Sequence, residues 1–146
     1  LVYANHVLQD NEMIVKTAVK NCGYMFPYIS ERLQQQKDIA LFAIEQFPYA
    51  FVHLPEKFRE DDEIVSIALY KNGSIYGHLS EKLQSNGELL KLSIRTNSYA
   101  FFYAPPELKQ NKSFVSSCID ISPFIFSYIS NDLKHDIDII FQLIHK

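Results

Sequence analysis

The sequence predicts an all-α fold: an α-solenoid of about five 25-residue helix-pair repeats with partial repeats at both ends. The first observation behind this is periodicity. Stepping by 25 residues, Leu8, Leu33, Phe58, Leu83, Leu108 and Leu133 form an apolar column, and Phe26, Phe51, Tyr76, Phe101 and Phe126 an aromatic one. Gly23, Pro48, Gly73, Ser98 and Pro123 form a column of turn formers, and Ala18, Ala43, Ala68, Ser93 and Cys118 a column of small residues. So many columns in fixed register, with no insertion, mark stacked supersecondary units. The second observation is helical spacing inside the period. Ile14, Val15, Ala18, Val19 and Cys22 fill one face of a helix, with Glu12, Lys16 and Lys20 opposite. The third is what is missing: leucine-rich repeats share this range of periods, but their L-x-x-L-x-L-x-x-N strand signature does not occur.

The units run 11–35, 36–60, 61–85, 86–110 and 111–135, within what is expected to be a single helical-repeat domain over 1–146. Residues 1–10 match the tail of a unit, Tyr3 aligning with Tyr28 and Leu8 with Leu33, and 136–146 match the first helix of another. An array that opens and closes in mid-repeat is expected to be a fragment of a longer protein. Asn11, Asp61, Asn86, Asn111 and Asp136 stand where each first helix begins, as N-caps whose side-chain oxygens accept from free amides. Glu12, Asp62, Glu63 and Glu88 follow in the first turn, where the helix dipole favours negative charge. Gln36 breaks the pattern. At the other end, Gly23 and Gly73 are expected as left-handed C′ residues, and Pro48 and Pro123 as openers of the next helix. Ser30, Pro55, Ser80, Pro105 and Ser130 interrupt the second half of each unit. This predicts a short helix, a kink, and one further turn around Glu-Lys-Leu.

Composition narrows the function classes. An apolar content of 47% supports a packed core, and no apolar run reaches the length of a transmembrane helix. A formal charge of −3 with mixed signs lacks the basic face that general nucleic-acid binding requires. Membrane insertion is not expected either. Cys22 and Cys118 lie nearly four repeats apart, so they are expected as free, buried, structural thiols, which fits a reducing compartment.

The phrases DDEIVSIAL, QFPYAFVHLPEKF and NSYAFFYAPPEL resemble the short α-helical repeat family known as domain of unknown function 4116, and the likeness extends over essentially the whole chain. The resemblance implies tandem arrays within longer proteins, including candidate secreted effectors of intracellular bacteria. It brings no active-site residues. A cytoplasmic location, or the host cytosol for a translocated effector, follows as an expectation.

No phosphate loop, dinucleotide fingerprint, zinc-protease motif or nucleophile elbow occurs, so no enzyme activity and no cofactor are expected. His53-Leu-Pro-Glu56 and His78-Leu-Ser-Glu81 could each share a helix face as metal ligands. The simpler reading is that Tyr28, His53, His78, Tyr103 and Tyr128 form one column of amphipathic rings, packed at the base and wet at the tip. That column, with Tyr24, Tyr49 and Tyr99 one turn away, is a candidate partner-binding face. A second candidate is Phe42, Ile67 and Leu92, apolar at a position that is polar at Thr17, Ser117 and Gln142, with Leu41 beside it. These side chains either cover the groove between first helices or bind a partner. The expected function is a non-catalytic, monomeric protein–protein interaction scaffold or spacer in a larger, effector-type protein. The alternatives are structural support for a catalytic domain elsewhere and, third, a metal-dependent enzyme.

Overall fold

The computed structural model describes residue 1 and residues 5–145, so the alignment of Tyr3 lies outside the described residues. All regular structure among them is helical, and the repeat predicted from the sequence is the unit of the fold. Its contacts fall into two compact units, Leu1–Lys71 and Asn72–Lys146. The long first helices are α1 (Glu12–Asn21), α2 (Lys37–Gln46) and α3 (Asp62–Lys71) in the first unit. In the second they are α4 (Gly87–Ile94), α5 (Lys112–Ile121) and α6 (Ile137–Ile144). Four-residue α-helical turns recur at His6–Gln9, Glu31–Gln34, Glu56–Arg59 and Asn131–Lys134, with Glu81–Gln84 and Pro106–Gln110 between them.

The capping chemistry is as the sequence predicts. Asn11 Oδ1 accepts from the Ile14 amide at 3.1 Å, Asn111 Oδ1 from Phe114 at 3.0 Å, and Asp136 Oδ1 from Asp138 at 3.0 Å. Gln36 makes no side-chain cap; the Asp38 carboxylate accepts from the Ile39 amide instead.

The middle of each repeat is a six-residue 3₁₀ helix, tighter than the α-helical piece expected there. These are η1 (Gly23–Tyr28) and η2 (Pro48–His53) in the first unit. The second unit holds η3 (Gly73–His78), η4 (Ser98–Tyr103) and η5 (Pro123–Tyr128). Each is entered through one extended residue, with φ between −141° and −153° at Cys22, Phe47, Asn72, Asn97 and Ser122. Asn72 and Asn97 stabilise that entry by accepting from the amides of Ser74 and Tyr99, both at 3.0 Å. A 3₁₀ helix has three residues per turn, so residues i and i+3 eclipse. The buried face of η1 therefore reads Gly23, Phe26, Ile29, one side chain in three, and in η3 Ile75 is buried beside Gly73, Tyr76 and Leu79.

The glycines differ from expectation. None has positive φ, so Gly23 and Gly73 are not left-handed C′ residues. They are needed for close approach: a Cβ on Gly23 would stand 2.2 Å from the Ala43 carbonyl oxygen, and one on Gly73 2.0 Å from that of Ser93. Pro48, Ser98 and Pro123 carry a Cβ at the same position, so the close approach belongs to the two glycine layers.

Within each unit the first helices pack side by side and the 3₁₀ helices form a second layer. Thus α2 touches both η1 and η2, and α4 touches both η3 and η4. The core lies between these layers. Val15, Val19, Phe26, Ile44 and Phe51 are fully buried in the first unit, and Tyr76, Leu90, Ile94, Phe101 and Ile119 nearly or fully so in the second. Two buried hydroxyls find partners: Tyr76 Oη donates to the Gln84 carbonyl, and Ser93 Oγ donates to Leu89 O at 2.7 Å. None of the described helices is long and apolar enough to cross a membrane.

Candidate partner-binding site

In the first unit, Phe42 and Leu41 are half-buried on α2 and Ile67 is half-buried on α3. The Phe42 ring lies under Lys20, whose Nζ is 4.8 Å from the ring centroid. Together they floor an open groove of about 590 Å³ lined by Glu12, Met13, Lys16, Thr17, Lys20 and Asn21. Phe42 thus covers the seam between two first helices, while one side of the ring stays open. Tyr28 and His53 are exposed, and Tyr28 meets Tyr24 edge-on at 6.2 Å. In the second unit, Leu92 is half-buried on α4, and His78 is exposed.

Two of the predicted residues, Tyr103 and Tyr128, come together in an exposed aromatic cluster on η4 and η5. Tyr99 stacks on Phe102 with centroids 5.2 Å apart and planes 6° from parallel. Tyr103 and Tyr128 meet Tyr99 edge-on at 5.5 and 5.6 Å. Phe102 meets the same two rings edge-on, at 5.3 and 6.3 Å. The stack follows from the 3₁₀ geometry, which eclipses residues three apart and so superimposes the rings at 99 and 102. Offset-stacked and edge-on pairs are the arrangements aromatic quadrupoles favour. Beneath the cluster, a Cβ on Gly77 would come within 3.0 Å of the Tyr103 ring, so the glycine lets that ring lie flat on η3.

Lys109 completes the cluster. Its Nζ donates to the Phe102 carbonyl at 2.6 Å and sits 5.5 Å from the Phe102 ring centroid. Partial burial of the ammonium pulls its pKa below the ordinary lysine value. Lys134 makes the equivalent bond to Ser127 O at 3.0 Å. Each lysine satisfies a carbonyl that the end of a 3₁₀ helix leaves free.

Phe102, half-exposed at 50%, is the functional candidate that the columns concealed. Its column reads Pro27, Val52, Gly77, Phe102, Ser127, so averaging over repeats erases it. The signal available in the sequence was a single aromatic residue in an irregular column.

Other chemistry is sparse. Among the described residues no group of three or more His, Cys, Asp or Glu side chains could hold a metal ion. Cys118 is buried, and burial pushes its thiol pKa up to about 11. Cys22, expected to be buried, is half-exposed: the chain leaves α1 there in extended conformation, and the thiol lines an open groove with Tyr24 and Phe47. Both cysteines are free.

The family model described as Domain of unknown function (DUF4116) matches residues 1–34, 36–84, 68–109, 86–134 and 111–146. The chain belongs to the DUF4116 family. The longest matches, 36–84 and 86–134, each span about two of the 25-residue repeats seen here. No curated protein and no solved structure matches this DUF4116 chain.

Proposed function

We propose that this DUF4116 chain is a non-catalytic protein-interaction scaffold, with the aromatic cluster of its second unit as the contact surface. The supporting observation is the exposed stack of Tyr99 on Phe102, flanked edge-on by Tyr103 and Tyr128. Tyrosine and phenylalanine present a large area at small entropic cost when their rings are already held in place. Here neighbouring rings and the Lys109 ammonium do the holding. Clustered exposed aromatic side chains on a repeat scaffold are where such folds meet partners. The remainder of the surface is mixed in charge, which suits a protein partner better than a polyanion.

The test is affinity capture with the wild-type chain, a Tyr99→Ser/Phe102→Ser variant, and Phe42→Asp, with thermal melting of all three. The cluster reading expects bound partners to be lost from the double-serine variant while its helical signal persists, and retained by Phe42→Asp. Undiminished capture by the double-serine variant would reject the cluster. Loss confined to Phe42→Asp, with its melting curve intact, would move the surface to the groove over α1 and α2.

A further inference from the structure

The 3₁₀ helices, 23–28, 48–53, 73–78, 98–103 and 123–128, contain no Asp, Glu, Lys or Arg. The rings of the aromatic cluster therefore stand on uncharged elements. Within the second unit η4 packs against η3 on one side and η5 on the other, so the exposure of Tyr99, Phe102 and Tyr103 owes nothing to either end of the chain. Charge reaches these helices as cations: Lys109 Nζ donates to the Phe102 carbonyl and Lys134 Nζ to that of Ser127. An ammonium has three N–H bonds, so each lysine carries two beyond the one that its carbonyl takes. The phenol hydroxyls of Tyr99, Tyr103 and Tyr128 add further donors.

The rings also repeat. Tyr103 and Tyr128 hold the same position in η4 and η5, so one repeat separates them. Packed helices lie roughly 8–10 Å apart. A polyproline II helix rises about 3.1 Å per residue and completes a turn in three residues, or about 9.3 Å. Laid across η4 and η5, such a segment brings every third residue over an equivalent ring. An α-helix, which repeats every turn of about 5.4 Å, does not match that spacing. The charges match as well. A polyproline II helix makes no internal hydrogen bonds and its prolines have no N–H, so it presents carbonyl oxygens, which carry partial negative charge. Ammonium and phenol donors complement such an edge.

We propose that the aromatic cluster of η4 and η5 binds a proline-rich segment of a partner protein in the polyproline II conformation, an assignment that rests on the cluster being the contact surface. Prolines at positions i and i+3 of the segment fall on the Tyr103 and Tyr128 layers, with the Tyr99–Phe102 stack between them. Proline-rich segments dock on aromatic-lined surfaces, and because they are already extended they lose little entropy on binding.

Titration of the chain with decaproline, followed by amide NMR shifts, tests this. Saturable binding is expected with a Kd below roughly 1 mM, the shifts gathered on η4 and η5, and Tyr99→Ser/Phe102→Ser should weaken it about tenfold or more. Phe102→Leu, which keeps apolar bulk but removes the ring face, should also weaken it while the melting curve stays near that of the wild type. Phe42→Asp should leave it unchanged. Of two alanine peptides with equal numbers of prolines, one spaced by three and one by four, the first should bind more tightly. Equal affinity for the two, or no decaproline binding at about 1 mM, overturns the proposal. Should affinity capture still depend on Tyr99 and Phe102 in that event, the contact surface stands and only its occupant is wrong; capture indifferent to both rings removes the surface too. Cosedimentation with phosphatidylcholine vesicles that requires the two rings, without decaproline binding, overturns the proposal in favour of a lipid surface.

Discussion

Phe101 and Phe102 are chemically identical neighbours with opposite environments, and their contrast tests the 3₁₀ register on which the site depends. Phe101 is 0% exposed and Phe102 is 50% exposed. Truncating Phe101 to alanine removes a fully buried ring from between η4 and the first helices, at a cost of about 3–5 kcal/mol for a buried Phe→Ala change. Phe102→Ala forfeits about half of the roughly 2 kcal/mol that full burial of such a side chain contributes, near 1 kcal/mol, with a further ~0.5 kcal/mol from its ring pairs. For a chain of this length each kcal/mol lowers the melting temperature by about 3–4 °C. The expected drops are therefore about 10 °C or more for Phe101→Ala and about 5 °C for Phe102→Ala. Thermal unfolding followed by circular dichroism gives both values. A double-mutant cycle through Tyr99→Ala should add a coupling of about 0.5–1 kcal/mol between positions 99 and 102. Equal losses for the two phenylalanines, or no coupling between 99 and 102, would refute the register and with it the stacked surface.

Two further outcomes follow from the packing. Gly→Ala changes ordinarily stabilise a compatible site by about 0.4–1 kcal/mol. Gly73→Ala should instead destabilise by roughly 1–3 kcal/mol, because the new methyl meets the Ser93 carbonyl and backbone must move; a raised melting temperature would show that the layers can separate freely. The second outcome concerns acid. The Lys37 ammonium holds the Asp61 carboxyl below its usual pKa, Lys16 does the same for Asp38, and Lys112 for Asp136. A depressed folded-state pKa contributes stability above the ordinary value of about 3.9, and that contribution is lost as pH falls through the lowered values. Urea midpoints measured downward from about pH 5 should fall in low salt, and less so in Lys37→Met or at about 1 M salt, where exposed pairs are screened. A midpoint drop identical in wild type and Lys37→Met would remove these pairs as its cause.

The array itself was legible because its information is local and repeated. The N-caps at Asn11, Asp61, Asn86, Asn111 and Asp136 need only a short side chain and free amides one turn away, so spacing alone identified them. The apolar columns were legible for the same reason: a helix that repeats its buried face must repeat its buried residues. The half-buried state of Phe42, Ile67 and Leu92 was not, since a position flanking the core can tilt toward either neighbour.

Tertiary structure decided three matters. A 3.6-residue period and a 3.0-residue period differ little over six residues, so the sequence alone did not separate an α-helical turn from the 3₁₀ helices, and Phe102 was missed with them. Gly23 and Gly73 read as left-handed caps because glycine is common there; the carbonyl that requires them belongs to the next first helix, 20 residues on. Cys22 read as buried from its place on the helical face, but the chain turns extended at that residue and carries the thiol to the lip of a groove. The sequence by itself determined the repeat, its helices and its caps, which depend on residues within about one turn of each other. Only the folded chain decided which rings stack and which glycines are squeezed, because those depend on what a neighbouring layer places opposite them.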